Sequence, residues 1–218
     1  MQSAQHQGMA ADFESAVIRP SILYFGTPVA VISTLNVDGT TNLTPISSAW
    51  ALGDRVVLGM ADAGQGCQNL LRTAECVINL PGEANWASVE AVGRTTGCYP
   101  VPDYKREMGY VHEADKFARG GLTAAAPDLV RPLRVADYPM QFEAKLLASY
   151  PMSALPEEDE PPGVRMLETR VVRVHAHERV VKPGTQRIDT SRWSPLLYVF
   201  RDYFGTGAKL ASNFRVEK

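Results

Sequence analysis

Short β-branched runs, each closed by turn-forming residues, leave this chain few ways to fold. Val29–Leu35 reads Val-Ala-Val-Ile-Ser-Thr-Leu and runs into Asn36-Val37-Asp38-Gly39, a turn whose glycine is free to take positive φ. Thr41–Trp50 reads as the return strand, with Pro45 forced to an edge, a bulge or the strand's end because it has no N–H to donate. Gly53-Asp54 turns the chain again, and Arg55–Met60 is a third strand. The period then changes. Over Gln65–Glu75, Cys67, Leu70, Leu71 and Ala74 fall at i, i+3, i+4 and i+7, which predicts a helix. Cys76–Leu80 follows as a buried strand closed by Pro81-Gly82, and Ala84–Val92 as a second helix.

Gly93–Pro139 is irregular and rich in proline and glycine, with short helices predicted near Tyr104–Met108 and Asp115–Ala118. A segment of this length inside one domain reads as a functional loop or covering flap. Strands resume at Met140–Tyr150, where Gln141, Glu143 and Lys145 alternate with Phe142, Ala144 and Leu146, the pattern of a strand wet on one side. The acidic, proline-rich stretch Pro156–Gly163 reads as a solvated hairpin tip, Met166–Val181 as the longest strand, and Leu196–Phe200 as the last. Six or seven strands at hairpin spacing with few helices predict a mainly β fold, an antiparallel barrel rather than a Rossmann sheet. Residues 1–19 form a tail with a short helix at Asp12–Val17, and residues 20–218 form one domain.

Composition narrows the function. The 218 residues carry 22 Lys plus Arg against 24 Asp plus Glu, a formal charge of −2, so no overall basic field draws the chain to nucleic acid or an anionic membrane. No apolar run reaches the roughly 18 residues of a membrane span, and Met1–Asp12 lacks the basic and apolar regions of a secretory signal. Cys67, Cys76 and Cys98 are an odd set without a CxxC pair, read as reduced thiols in a cytoplasmic protein. No P-loop, HExxH, GxSxG or metal-type cysteine cluster is present.

Two groups remain. Thr44-Pro45-Ile46-Ser47-Ser48-Ala49-Trp50 places three hydroxyls where Pro45 breaks the ladder, leaving donors for a phosphate or the polar edge of a heterocycle. The simpler reading is a strand with its wet face hydroxylated. Ala61–Asn69 runs a loop with Gly64 and Gly66 into a helix whose orphan N–H groups make an anion site, or simply a capped turn. A barrel that brings both to one end would frame a single phosphate-bearing ligand.

These residues resemble the flavin reductase-like, FMN-binding split β-barrel family. The resemblance runs through Tyr24-Phe25-Gly26-Thr27-Pro28-Val29, Asn42–Ser48, Val56–Gly59, the helix–strand pair from Asn69-Leu70-Leu71 to Val77-Ile78-Asn79-Leu80, Asp115-Lys116-Phe117 with Gly121-Leu122, Pro139–Glu143 and Val171–Val174. It implies an antiparallel split β-barrel and a homodimer holding FMN, with FAD the alternative flavin. It also implies oxidoreductase chemistry: hydride passes from NAD(P)H to flavin and on to an acceptor, either a small organic compound or a partner monooxygenase. Thr44, Pro45, Ile46, Ser47, Ser48 and Ala49 are the implied contacts to the ring and ribityl chain, and Gly64, Gln65, Asn69 and Lys116 to the phosphate region, although Lys116 reads more simply as an exposed lysine on the flap. Two features depart from the family. Ala63-Gly64-Gln65-Gly66-Cys67 lacks the usual hydroxyl and cation, and Pro162-Gly163-Val164-Arg165 stands where several family enzymes carry Gly-Asp-His beside the nicotinamide. The second departure keeps open a flavin carrier or redox sensor without turnover, and the first an interaction module without flavin.

Other residues carry weaker signals. His175 and His177 share a strand face, which without a third ligand reads as polar surface rather than a metal site. Trp50 either stacks beside a ring or packs in the core or interface. Tyr203 and Phe204 read as packing residues at a subunit boundary, and Cys67 as a buried thiol.

Overall fold

The computed structural model describes residues 15–153 and 163–213. Among these residues, fourteen strands and four α-helices follow in chain order. The first five strands are β1 (Phe25–Pro28), β2 (Ala30–Leu35), β3 (Thr41–Ile46), β4 (Ala49–Leu52) and β5 (Arg55–Ala61). Then come α1 (Gln65–Thr73), β6 (Glu75–Leu80), α2 (Trp86–Gly93), β7 (Thr95–Thr96), α3 (Asp103–Glu107), β8 (Val111–His112) and α4 (Lys116–Gly120). The chain continues through β9 (Ala124–Ala125), β10 (Arg134–Val135), β11 (Met140–Pro151), β12 (Val164–Ala176), β13 (Leu197–Val199) and β14 (Asp202–Phe204). The helix read over Asp12–Val17 lies outside the described residues up to position 14, and residues 15–17 are not helical. The hairpin tip read at 156–163 also lies outside them, except for Gly163.

Seven strands form one antiparallel sheet in the order β3-β2-β6-β11-β12-β5-β4. Its two edge strands are consecutive in the chain, joined only by Ser47 and Ser48. The sheet therefore curls until its edges meet at a corner, yet no ladder joins β3 to β4. This is a split barrel. Pro45 sits on edge strand β3 opposite Val31, a position where its missing N–H costs no ladder bond. The long β11–β12 hairpin shifts register between Glu143 and Ala144 and between Leu146 and Ala148, and such bulges bend a strand as a curled sheet requires.

The inner face holds Ala30, Ile32, Val56, Leu58, Met60, Cys76, Ile78, Ala144 and Leu167, packed against Cys67 and Leu70 of α1. Each fully buried leucine or isoleucine contributes roughly 1.5–3 kcal/mol. A second apolar layer lies on the other side of β2 and β3, where Val29, Val31 and Leu43 meet Val89 and Val92 of α2 with Val135, Tyr138 and Leu196. The chain's two ends add a small separate sheet, β1-β13-β14. No helix among the described residues is long and apolar enough to cross a membrane.

One expectation is overturned in β11. The alternation predicts Gln141 and Glu143 on the wet face, but both are buried. The segment 123–138 folds back over that face and supplies polar partners. The Glu143 carboxylate accepts the backbone N–H groups of Asp128 (2.7 Å), Leu129 (2.5 Å) and Val130 (3.1 Å), and His175 Nε2 at 2.6 Å. Asn79 likewise bonds Val31, Ser33 and the Val135 N–H. Burial pushes the Glu143 carboxyl up, but the Asp128 and Leu129 N–H groups and His175 outweigh it and leave it below the ordinary glutamate range. Asp128, Glu143 and His175 form a compact donor cluster; four donors already occupy the Glu143 oxygens, so the cluster serves as a loop anchor. His177 is spent separately on the Ala136 carbonyl.

A depressed folded-state carboxyl adds stability above the ordinary glutamate pKa and loses it as pH falls below that value. Thermal melts of the wild type are therefore expected to fall progressively below about pH 4.5. Glu143→Gln should lower stability at neutral pH by about 2 kcal/mol and lose this part of the acid dependence.

Candidate functional site

The break between β3 and β4 opens on a cavity of about 840 Å³, within the usual range for small-molecule and cofactor sites. Its floor is Thr44, Pro45, Ile46, Ser47 and Ser48, and its side is Gly64 and Gln65 at the start of α1. Two groups from separate stretches of sequence thus share one wall. Glycine makes this possible. A Cβ on Gly66 would lie 2.4 Å from Thr44 Oγ1, and one on Gly97 would lie 2.6 Å from Asn42 Oδ1 and 3.0 Å from Gln65 Cγ.

The sequence-read residues divide as follows. Ser48 Oγ donates to the Gly59 carbonyl at 2.6 Å, which holds the bend. The Ser47 hydroxyl has no protein partner among the described residues and lines the cavity. Ala49 does not line it: paired with Leu58 in β4, it packs on the inner core. Asn69 does not line the cavity either: it is buried one helical turn beyond the wall. Its amide donates to Asn36 Oδ1 (2.8 Å) and Thr34 Oγ1 (3.3 Å), and its carbonyl accepts Gln65 Nε2 (3.0 Å). It therefore positions Gln65. Trp50 is on the outer sheet face, away from the cavity, while Tyr203 lines the cavity rather than only packing. Cys67 is buried, and burial raises its thiol to about 11.

The flap brings two lysines to the cavity, and Lys116 is buried rather than exposed on the flap surface. Lys116 is 3% exposed; its Nζ donates to the Leu43 carbonyl at 2.8 Å, and it lines the cavity. Burial, then the neighbouring Lys105, pulls its pKa down to about 8. Lys105 Nζ donates to Thr96 Oγ1 at 3.2 Å. Neither lysine makes an ion pair among the described residues, whereas the cavity's arginines do: Arg94 with Glu90 (2.8 Å) and Arg165 with Asp62 (2.5 Å). Gly64, the residue before α1, provides no side-chain cap, and the first turn has no acid. The leading N–H groups of α1 thus have no capping side chain. Sequence reasoning missed Lys105 and Thr96 because they sit in an irregular segment some 30–40 positions downstream; the only signal was a lysine after the Pro100 and Pro102 turns.

Comparisons with known proteins place the chain. No family model matches it. The protein YdfE of Bacillus subtilis (strain 168), itself uncharacterized, is 38% identical over 200 residues, which is 92% of this chain and 93% of YdfE. The chain belongs to the YdfE family. Among solved structures, the flavoredoxin of Desulfovibrio vulgaris (Miyazaki F) aligns with a TM-score of 0.73 at 19% identity, over 94% of this chain and all of the flavoredoxin. The FMN-binding protein of Thermus thermophilus aligns at 0.65 and 14%, over 94% and 100%. The fold is the flavin reductase-like split β-barrel that the motifs of this YdfE relative imply.

Gly66→Ala should force α1 away from Thr44. The expected cost is about 1–3 kcal/mol in a denaturant melt. Gly93→Ala, whose Cβ meets nothing within 4 Å, should stay close to wild type.

Proposed function

We propose that the protein binds FMN in this cavity and acts as an oxidoreductase of flavin reductase type. The observation that supports it is the convergence of two lysines without a carboxylate partner among the described residues and an uncapped helix N-terminus beside a hydroxyl-bearing bend. A phosphate dianion matches the first set and the polar edge of a flavin ring the second. In this reading Lys105, Lys116 and the Gln65–Cys67 N–H groups hold the phosphate. Ser47 and the backbone of the bend face the ring's oxygens and favour its reduced, anionic form. Bound FMN would supply the hydride chemistry, with NAD(P)H as donor. The terminal acceptor is a small organic compound or, with flavin passed on, a partner monooxygenase. The three cysteines, all free, suit a cytoplasmic setting.

The alternative, a flavin carrier or sensor without turnover, is supported by Arg165. It stands at the cavity with its guanidinium tied to Asp62 and Ser149, and an always-protonated guanidinium cannot relay a proton as histidine does. The first experiment is an absorbance spectrum of purified protein, then FMN titration and NADH. Flavin bands that bleach support the reductase, bands that persist support the carrier, and absence of FMN binding overturns both. Lys105→Ala should weaken FMN binding about 10-fold or more and leave riboflavin binding, which involves no phosphate, nearly unchanged. Lys116 is charged below about pH 8; affinity for FMN, and not for riboflavin, should fall as pH rises through that value.

We further propose a homodimer through the outer face of β4, β5, β12 and β11. Trp50, Leu52, Tyr150 and Met166 are all exposed there, and the register aligns Trp50 with Val57 and Glu168, and Tyr150 with Met166. Four exposed apolar side chains on one sheet face, with the Arg55–Glu168 ion pair among them, support an interface there. Trp50→Glu with Leu52→Asp should convert a dimer to a monomer by light scattering; a wild type that is already monomeric would refute the interface.

A further inference from the structure

Three tyrosines from segments far apart in the sequence line the cavity. Tyr24 precedes β1, Tyr198 lies in β13 and Tyr203 in β14, and all three line the cavity. Their rings form a continuous series. Tyr24 and Tyr198 have centroids 5.7 Å apart at 59°, and Tyr198 and Tyr203 are 5.4 Å apart at 52°. Several backbone bonds set this wall. Phe200 N–H donates to the Tyr24 carbonyl (2.5 Å), Val29 N–H to Leu196 (2.9 Å), and Leu196 N–H to Pro81 (3.1 Å).

The three hydroxyls are not equivalent. Tyr203 donates to Glu90 Oε2 at 3.2 Å, and Glu90 Oε1 holds Arg94. That bond pins one ring. Among the described residues the Tyr24 and Tyr198 hydroxyls have no protein partner, and neither oxygen is sealed from solvent. A half-buried aromatic wall with two free phenol donors matches one ligand chemistry: a planar ring that offers its face to the tyrosines and carries an exocyclic oxygen to accept from them. An aliphatic acid satisfies the donors but leaves the ring faces uncovered.

We propose that Tyr24, Tyr198 and Tyr203 form the subsite for the second substrate of this cavity, a planar ring bearing an exocyclic oxygen. Its assignment to a second substrate rests on the flavin reading above; the ring-binding claim does not. Two sources share this chemistry, the nicotinamide ring of the hydride donor and an aromatic acceptor.

The test uses the full chain labelled with 3-fluorotyrosine, with and without added FMN, followed by fluorine NMR. The protein has eight tyrosines, and single Tyr→Phe variants assign Tyr24, Tyr198 and Tyr203. Nicotinamide and 4-nitrobenzoate are the ring probes, succinate the aliphatic control, and exposed Tyr99 the internal reference. The expected result is a saturable shift of the three wall signals with at least one ring, none with succinate, and binding weakened 5-fold or more in Tyr198→Leu. A response to nicotinamide alone assigns the subsite to the donor, and a response to 4-nitrobenzoate to an acceptor. Unmoved wall signals with both rings, equal shifts with succinate, or unchanged affinity in Tyr198→Leu with its remaining fluorine spectrum intact would overturn the proposal. Failure of the flavin reading shows separately, as FMN that leaves every signal unmoved.

Discussion

A hydrogen is all that Gly66 can place between α1 and the Thr44 hydroxyl, since a Cβ there would come within 2.4 Å. The site depends on that contact. It seats the start of α1 directly on the β3 bend, so Gly64 and Gln65 line the same cavity as Thr44–Ser48. Gly97 does the same for the flap, packing against Asn42 and Gln65. Close-packed interiors give way to even one added methylene only at a cost, so these two glycines set the shape of the cavity as firmly as any hydrogen bond.

Charge is arranged with equal economy. Each cavity arginine is neutralised by a carboxylate, while Lys105 and Lys116 are left with neutral oxygen partners. Keeping an ammonium buried and unpaired opposes folding. The depressed pKa of Lys116 is the mark of that cost, and an arriving anion would relieve it. The same flap is fastened at its far end by Glu143, whose carboxylate draws three successive backbone N–H groups onto β11. One anchor positions the cover, and its two lysines line the cavity.

Sheet geometry explains why the barrel splits where it does. β3 and β4 are joined by two residues, a length that can close a hairpin, yet they lie at opposite edges of the sheet and share no ladder. Pro45 cannot donate, Ser48 spends its hydroxyl on Gly59, and Ser47 is left facing the opening. The outward side of the same strands is apolar at Trp50 and Leu52, so one short segment shapes the cavity on one side and a candidate subunit contact on the other.

Periodicity and turn chemistry are local, and they were legible from the residues alone. The strands beginning near Ala30, Thr41, Arg55, Cys76 and Met140, the α1 stripe of Cys67 and Leu70, and the placement of Pro45 on an edge all follow from neighbours within a few positions. The bend at Thr44–Ser48 and the glycines before α1 were legible for the same reason. Tertiary structure alone decided which polar residues are wet. Gln141 and Glu143 alternate like a solvent face, yet a segment ending just before them covers both, because buried polar groups are tolerated once they are bonded. It also decided that Asn69 braces Gln65 and that Ala49 faces the core. Lys105 and the three wall tyrosines come from irregular or terminal segments with no period to read, and only chain closure in space brings them to the cavity.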